Sequence, residues 1–494
     1  MTSSRGEAAC SATSETEPDT TPATDGHRAH PNGEWAAPLA GAFLKALDGF
    51  TDEADGPEAG LRSEPLTERA AEEQVHGICF KTGPPGRIGV ELEWLVYDGR
   101  DPALPVDQQR VATALAGIGS PGALPGCGRL TTEPGGQVEL SSAPAVGLAA
   151  CISTTCHDLA AIRQAVRPAG LCLAGQGLDP LRSPRRVLDL PRYAAMEEFF
   201  NRGGPWGQLM MCSTASVQVC LDAGEEGNGL TSFDWRWRLL YAVGPVLVAA
   251  FANSPLHEGR PTGWKSTRQR IWSRLDPGRT KAPAHAEPPA AGGRANGHAD
   301  HRAAWVQYVL GAEVMCVRRS GAESWSAPAG LTFRDWLRGA GERPPTLGDL
   351  TYHLSTLFPP IRPQGHLEVR VIDAQPGDGW VVPAAVVTAL LDDPIAGQEA
   401  MAAAEPLWAQ PDPWLRAARL GPSDPVVAAA SLRCFRAAEG ALLRLGAPAH
   451  VREAVAAFTE RYVVRDRCPA DDRLEEAGGP AAGAPAATPL EEQP

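Results

Sequence analysis

The chain has 494 residues, enough for one large domain or several of ordinary size, and its 43% apolar content can fill a substantial core. Lys plus Arg (45) against Asp plus Glu (59) leaves a formal charge of −14. That excludes the clustered basic surface of a nucleic-acid binder or of a polybasic protein held on membranes.

In chain order, residues 1–34 are rich in Ser, Thr, Glu and Pro and short of large apolar side chains, so a disordered tail is expected. They lack the basic-then-apolar order of a secretory signal, and the eleven cysteines form no C-x-x-C pair, which together predict a cytoplasmic protein with free thiols. Apolar periodicity predicts helices over 36–49, 66–76, 149–166, 192–201, 235–252, 347–357, 383–391 and 424–445, the last opened by Asp424 as N-cap and Pro425. It predicts strands over 87–97, 136–142, 172–175, 215–222, 314–318 and 366–372. The apolar run 239–252 is too short to span a bilayer and carries Gly244 and Pro245, so it reads as a buried helix. A loose loop is expected over 281–301 and a second tail over 469–494. The expectation is one α+β domain over 35–468, without regular strand–helix alternation.

The strands carry the chemistry. Period-2 alternation puts Ile88, Val90, Leu92, Trp94 and Val96 on one face, and Gly89, Glu91 and Glu93 on the other, the two carboxylates about 7 Å apart. Gln137, Glu139 and Ser141 form a second polar row, with Glu133 just before a Pro134–Gly135–Gly136 turn. Thr214, Ser216, Gln218, Cys220 and Asp222 form a third, and His366, Glu368 and Arg370 a fourth. An antiparallel sheet with one wet face has this pattern too. The absence of Lys and the recurrence of Glu favour carboxylates bridged by a hard divalent cation, Mg²⁺ above all, which takes oxygen ligands and leaves positions for phosphates. His366 reads as a hydrogen-bonded or exposed histidine rather than a ligand. Cys212 and Cys220 read as inert thiols, and Met210 and Met211 as core or pocket lining.

No phosphate-binding glycine loop is present. Gly259–Thr267 comes near G-x-x-x-x-G-K-[ST], but Trp264 separates Gly263 from Lys265. A nucleotide would therefore be held by metal ions and arginines. Arg260, Arg268, Arg270, Arg274 and Arg279 lie in one stretch with a short helix over 265–273, where Arg268 and Trp272 are i, i+4 neighbours. Arg260 and Arg270 read as surface residues.

The blocks IGVELE (88–93), EPGGQVELS (133–141), MMCSTASVQVCLD (210–222), ANSPL…GWKSTRQRIW…DPGRT (252–280) and HLEVRVID (366–373) stand in order. With them the chain resembles the type 2 glutamate–cysteine ligases, in particular their actinobacterial, ergothioneine-pathway branch. Cys220 departs from the Asn of the family's VQVNLD. The resemblance implies an antiparallel sheet of about six strands, curved into a funnel with helices outside, similar to the catalytic domain of glutamine synthetase. It implies that ATP, L-glutamate and L-cysteine give γ-glutamylcysteine, ADP and phosphate through a γ-glutamyl phosphate. On that basis Glu91, Glu93, Glu139 and Glu368 are expected to hold Mg²⁺, with Glu133 nearby. Arg370 and Glu368 are expected to be catalytic, and Arg268, Trp272, Arg279, Gln218 and Met211 to bind substrates. Partners are small molecules, with neither nucleic acid nor membrane, and a monomer is expected. Two other readings keep the scaffold: a glutamate ligase with a different amine acceptor, and a degenerate binding protein.

Overall fold

The structure, a computed structural model, describes residues 65–288, 300–321 and 323–478, all within a compact unit assigned to Ser63–Pro494. The helix expected over 36–49, the tail over 1–34 and most of the loop over 281–301 lie outside the described residues.

Among the described residues ten strands form: β1 (Arg87–Asp98), β2 (Arg129–Thr132), β3 (Val138–Ser141), β4 (Ala145–Val146), β5 (Leu171–Ala174), β6 (Ser216–Asp222), β7 (Leu256–His257), β8 (Arg260–Pro261), β9 (Ile361–Pro363) and β10 (His366–Asp373). Eight join one sheet in the order β2-β3-β1-β6-β10-β9, with β4 and β5 also pairing with β1, and every pairing is antiparallel. β7 and β8 form a separate hairpin. The apolar rows are the sheet's inner face: Val138, Leu140, Val219, Leu367 and Val369 have no exposed surface. At roughly 1.5–3 kcal/mol for each large apolar side chain buried, this face fixes which side of every strand turns inward.

Helices cover that face. Phe233–Ala250 starts at Ser232, whose hydroxyl accepts the Trp235 N–H at 3.3 Å, and is buried almost all round, as its apolar run implies. Gly244 lies under Trp414, where an added Cβ would come within 2.0 Å of the ring. Val381–Asp392 packs beside it, Leu148–Val166 packs against Val381–Asp392 in turn, and Pro425–Arg444 begins at Asp424 as expected. No helix among the described residues is long and apolar enough to cross a membrane.

The turn between β2 and β3 shows why EPGGQ is spelled as it is. A Cβ on Gly135 would fall 2.1 Å from the Cys212 carbonyl oxygen. Gly136 has φ +89 and would meet Gln108 at 2.4 Å. Gly135 lets the turn press against the end of helix Trp206–Ser213, and Gly136 lets it press against Gln108.

Two expectations are corrected. Residues 314–318 form no strand; Glu313 and Cys316 make single bridges to Thr332 and Ser326. The low-complexity tail does not begin at 469, because Pro469–Glu476 is a helix whose Ala470 is wholly buried against Ala252 and Cys468. The helices Pro394–Trp408 and Ala449–Arg461 were not anticipated, since alanine-rich segments give little apolar contrast from which to read a period.

Candidate active site

Strand register brings the acidic rows together. Glu93 is the direct cross-strand partner of Glu139, and Glu91 lies between Ser141 on β3 and Gln218 on β6. Cys220 sits between Gly89 and Glu368, and Glu368 in turn faces Arg362 on β9. The polar side of β3, β1, β6 and β10 is therefore one continuous band.

Hydrogen bonds orient the band. Glu93 accepts from the Ser216 backbone N–H at 2.8 Å and from Gln218 Nε2 at 3.1 Å. Glu139 accepts from Thr131 Oγ1 at 2.9 Å and Ser141 Oγ at 3.2 Å. Gln218 Oε1 accepts from Arg370 Nη1 at 2.5 Å. Glu91, Glu93, Glu133 and Glu139 each keep part of their surface accessible while protein hems in the rest. Burial, then the neighbouring Glu368 and Glu139, pushes the Glu91 carboxyl well up. Burial, then Glu139 and Glu93, raises Glu133 to about 8; burial, then Glu93, raises Glu139 to about 7. Burial also raises Glu93, against the pull of Arg268 and Arg370. Crowded carboxylates that resist ionisation are the electrostatic signature of a site completed by positive charge.

Glu368 behaves differently. Its oxygens accept from Arg362 Nε at 2.7 Å and Nη2 at 3.0 Å, and a third guanidinium N–H comes from Arg370. Burial pushes this carboxyl up, but the two arginines outweigh burial and hold it at about 2. The expected metal ligand is thus an ion-pair anchor, because both oxygens are already committed. Arg362 was missed by the sequence reading. Its signal was present: it opposes Glu368 across the short Gln364–Gly365 turn joining two strands.

A β-bulge sets Arg370. Pairing shifts between Val369↔Val219 and Ile372↔Val217, so Arg370 and Val371 together oppose Gln218 alone. The backbone carbonyls at the bulge are taken by side chains of helix Thr267–Ser273: Arg268 Nη2 reaches the Arg370 oxygen, and Gln269 Nε2 the Val371 oxygen, both at 2.9 Å. Arg370 then points along the polar band to Gln218 and Glu368. The same extra residue pairs Asp373 with Ser216. There Asp373 accepts from the Asn253 N–H (2.8 Å), Ser254 Oγ (2.7 Å) and Ser266 Oγ (3.0 Å).

The expected substrate arginines divide. Arg268 is 3% exposed; its Nε and Nη1 have no hydrogen-bond partner, and Trp272 lies 5.7 Å away as the helical spacing predicts. Arg279 is corrected to a structural role. It is wholly buried and donates to Asp276 (3.0 Å), the Thr356 carbonyl (2.8 Å) and the Glu313 carbonyl (2.5 Å), which leaves its fork no reach toward a ligand. Arg270 is corrected from surface to core: it is 3% exposed, between Trp206 and Trp264 at 5.5 and 5.3 Å. Met211 is buried, and its carbonyl accepts from Gln137 Nε2 at 3.3 Å. Arg192 was not singled out. Its Nε is buried without a partner, its guanidinium lies 5.0 Å from the Tyr193 ring, and it acts on the charge of Glu133. Cys212 is raised to about 12 by burial, and Cys220 well above its usual range by burial and Glu91, so neither is a reactive thiolate.

Among the described residues, no three His, Cys, Asp or Glu side chains already converge as a preformed ligand set. Glu91, Glu93, Glu139 and Glu133 nevertheless offer oxygen donors only, on one face, with their burial and mutual repulsion only partly offset by nearby arginines. That donor chemistry fits a hard divalent cation.

A family model described as glutamate-cysteine ligase family 2 matches residues 87–486, starting at the first residue of β1. The chain is 39% identical over 410 residues to "Glutamate--cysteine ligase EgtA" of Mycobacterium tuberculosis (strain H37Rv), covering 82% of this chain and 89% of that one. It is 39% identical over 401 residues to the protein of the same name from Mycolicibacterium smegmatis, covering 80% and 88%. Among solved structures, a glutamate–cysteine ligase from Francisella tularensis in complex with AMP aligns over 80% of this chain and 85% of that one, with TM-score 0.45 and 12% identity.

Proposed function

The chain belongs to the glutamate–cysteine ligase family 2, and from that premise we propose that it joins the γ-carboxyl of L-glutamate to the amine of L-cysteine at the expense of ATP. The product is γ-glutamylcysteine, used for ergothioneine in the cytoplasm. The observation that carries this reading is the convergence of Glu91, Glu93 and Glu139 with Arg370 and Glu368 on one sheet face.

A carboxylate is a poor acyl donor. Its γ-oxygen must first attack the ATP γ-phosphorus, with ADP leaving; the amine then attacks the acyl carbon, phosphate leaves and the nitrogen gives up a proton. In this reading the polar face lines a funnel similar to that of glutamine synthetase. Glu91, Glu93 and Glu139, with Glu133, would hold Mg²⁺, whose chemistry there is to neutralise charge on the phosphates. Arg370, aimed by the bulge and steadied by Gln218 and Glu368, stabilises charge on the transferring phosphoryl group. Arg268, whose Nε and Nη1 make no hydrogen bond although Nη1 stands 3.9 Å from Asp373, and Arg192 beside Glu133 hold substrate anions, and Trp272 and Met211 pack beside them.

The test is mass-spectrometric product analysis with ATP, Mg²⁺, glutamate and cysteine, omitting each in turn. γ-Glutamylcysteine is expected only with all four. ADP release with another amine at higher kcat/KM than with cysteine would replace this acceptor assignment.

A further inference from the structure

Lys265, the residue that gives Gly259–Thr267 its likeness to a phosphate loop, is taken by another partner. Its ammonium pairs with Asp471 on the C-terminal helix Pro469–Glu476, with both side chains about four-fifths buried. Asp471 also caps the helix it belongs to, since its other oxygen accepts the Cys468 N–H at 2.9 Å. One residue before Asp471, the Ala470 N–H donates to the Ala252 carbonyl at 2.9 Å. Ala252, Cys468 and Ala470 form a small buried cluster distinct from the main core. The C-terminal helix thus holds both ends of the segment 252–265.

That segment leads into the site. Immediately beyond Ala252, Asn253 and Ser254 bond Asp373; immediately beyond Lys265, Ser266 bonds the same carboxylate. Ser254 Oγ also accepts the Arg268 N–H at 3.1 Å, and Arg268 supports the Arg370 carbonyl at the bulge. Between the helix and the segment stand two polar contacts and three small side chains, while Asp472 and Glu475 tie the helix itself to Arg461, Tyr462 and Arg467.

We propose that the helix Pro469–Glu476 is a latch, and that the Lys265–Asp471 pair is a positioning element that holds segment 252–268 so that Arg268 and the Arg370 bulge stand in register with the carboxylate band. The proposal deepens the ligase reading and rests on it for the role of Arg268. It assigns the near-miss lysine to geometry rather than to nucleotide phosphate.

The full-length Asp471→Asn variant is the clean test, since an amide oxygen can still cap Cys468 while the ion pair is lost. Backbone amide exchange at residues 254 and 265–268 is expected to accelerate about tenfold, while that of β1 and β6 is unchanged. The KM of glutamate or ATP, whichever Arg268 holds, is expected to rise about tenfold, with kcat falling about fivefold as the Arg370 bulge loosens. Unchanged exchange at 254–268 would overturn the latch, as would a lowered melting temperature with unaltered KM, the mark of a purely structural contact. If Lys265→Met instead abolishes ATP binding while exchange stays at parent level, the lysine is a phosphate ligand and the proposal fails. Absence of ligase activity in the parent would remove the ligase reading, yet the exchange measurement would still decide the latch.

Discussion

Glu93 and Glu139 face each other directly across β1 and β3, two carboxylates at a position where opposed like charges destabilise a sheet. Glu91 stands next on the same face, and burial holds all three above the usual carboxylate range. A sheet keeps such a grouping when it serves something other than stability.

Glu91→Gln is therefore expected to leave the fold intact, with a melting temperature equal to or above the parent's, because one repelling charge is removed. γ-Glutamylcysteine formation should fall by roughly 100-fold or more. Parent-level activity in a folded variant would take Glu91 out of the site.

Metal addition gives a second test. In chelator-treated protein, Mg²⁺ is expected to raise the melting temperature by lifting the repulsion among Glu91, Glu93 and Glu139, and Glu139→Gln should diminish that rise. A rise of equal size in the variant would place the cation elsewhere.

Arg370→Lys keeps a positive charge but loses the planar guanidinium, whose Nη1 donates to both Gln218 and Glu368. The expected result is a fall in kcat of about 100-fold, with substrate KM changed far less. A matching loss confined to KM would make Arg370 a binding residue instead.

Glu368 predicts an acid limb. Its carboxyl is held at about 2 against an ordinary 4.5, so its ion pairs stabilise the native state fully above 4.5 and are lost as pH falls through about 2. The contribution is about 3 kcal/mol. In urea unfolding, Glu368→Gln should be less stable than the parent at pH 7, and the gap should narrow from pH 4.5 downward. A gap independent of pH would mean that charge is not what Glu368 supplies.

Arg279→Met separates structure from binding. With Asp276 and two carbonyls left without their donor, unfolding is expected to become easier by about 3 kcal/mol. The fraction that remains folded should keep the parent's KM values. A raised KM at unchanged stability would return Arg279 to the substrate.

Much of this was legible in the chain itself. Alternation in IGVELEW, QVELS, SVQVCLD and HLEV determined which residues share a face, because side chains on a strand repeat every two residues and the apolar row must turn inward. Composition excluded a basic surface, and the spacing of Arg268 and Trp272 placed them together on a helix. Tertiary structure alone decided the rest. Strict alternation puts Asp373 on the apolar side with Val369; the bulge at Arg370 adds one residue and turns Asp373 to the polar side, where it pins Ser254 and Ser266. Glu368 became an anchor because Arg362 arrives on the adjacent strand, and Arg279 became structural because Thr356 and Glu313 close around it. Local pattern fixes the face a side chain occupies. Which charge it meets there depends on strand neighbours and loops distant in sequence, and with buried groups that neighbour decides whether a carboxylate or guanidinium is free for chemistry or already spent.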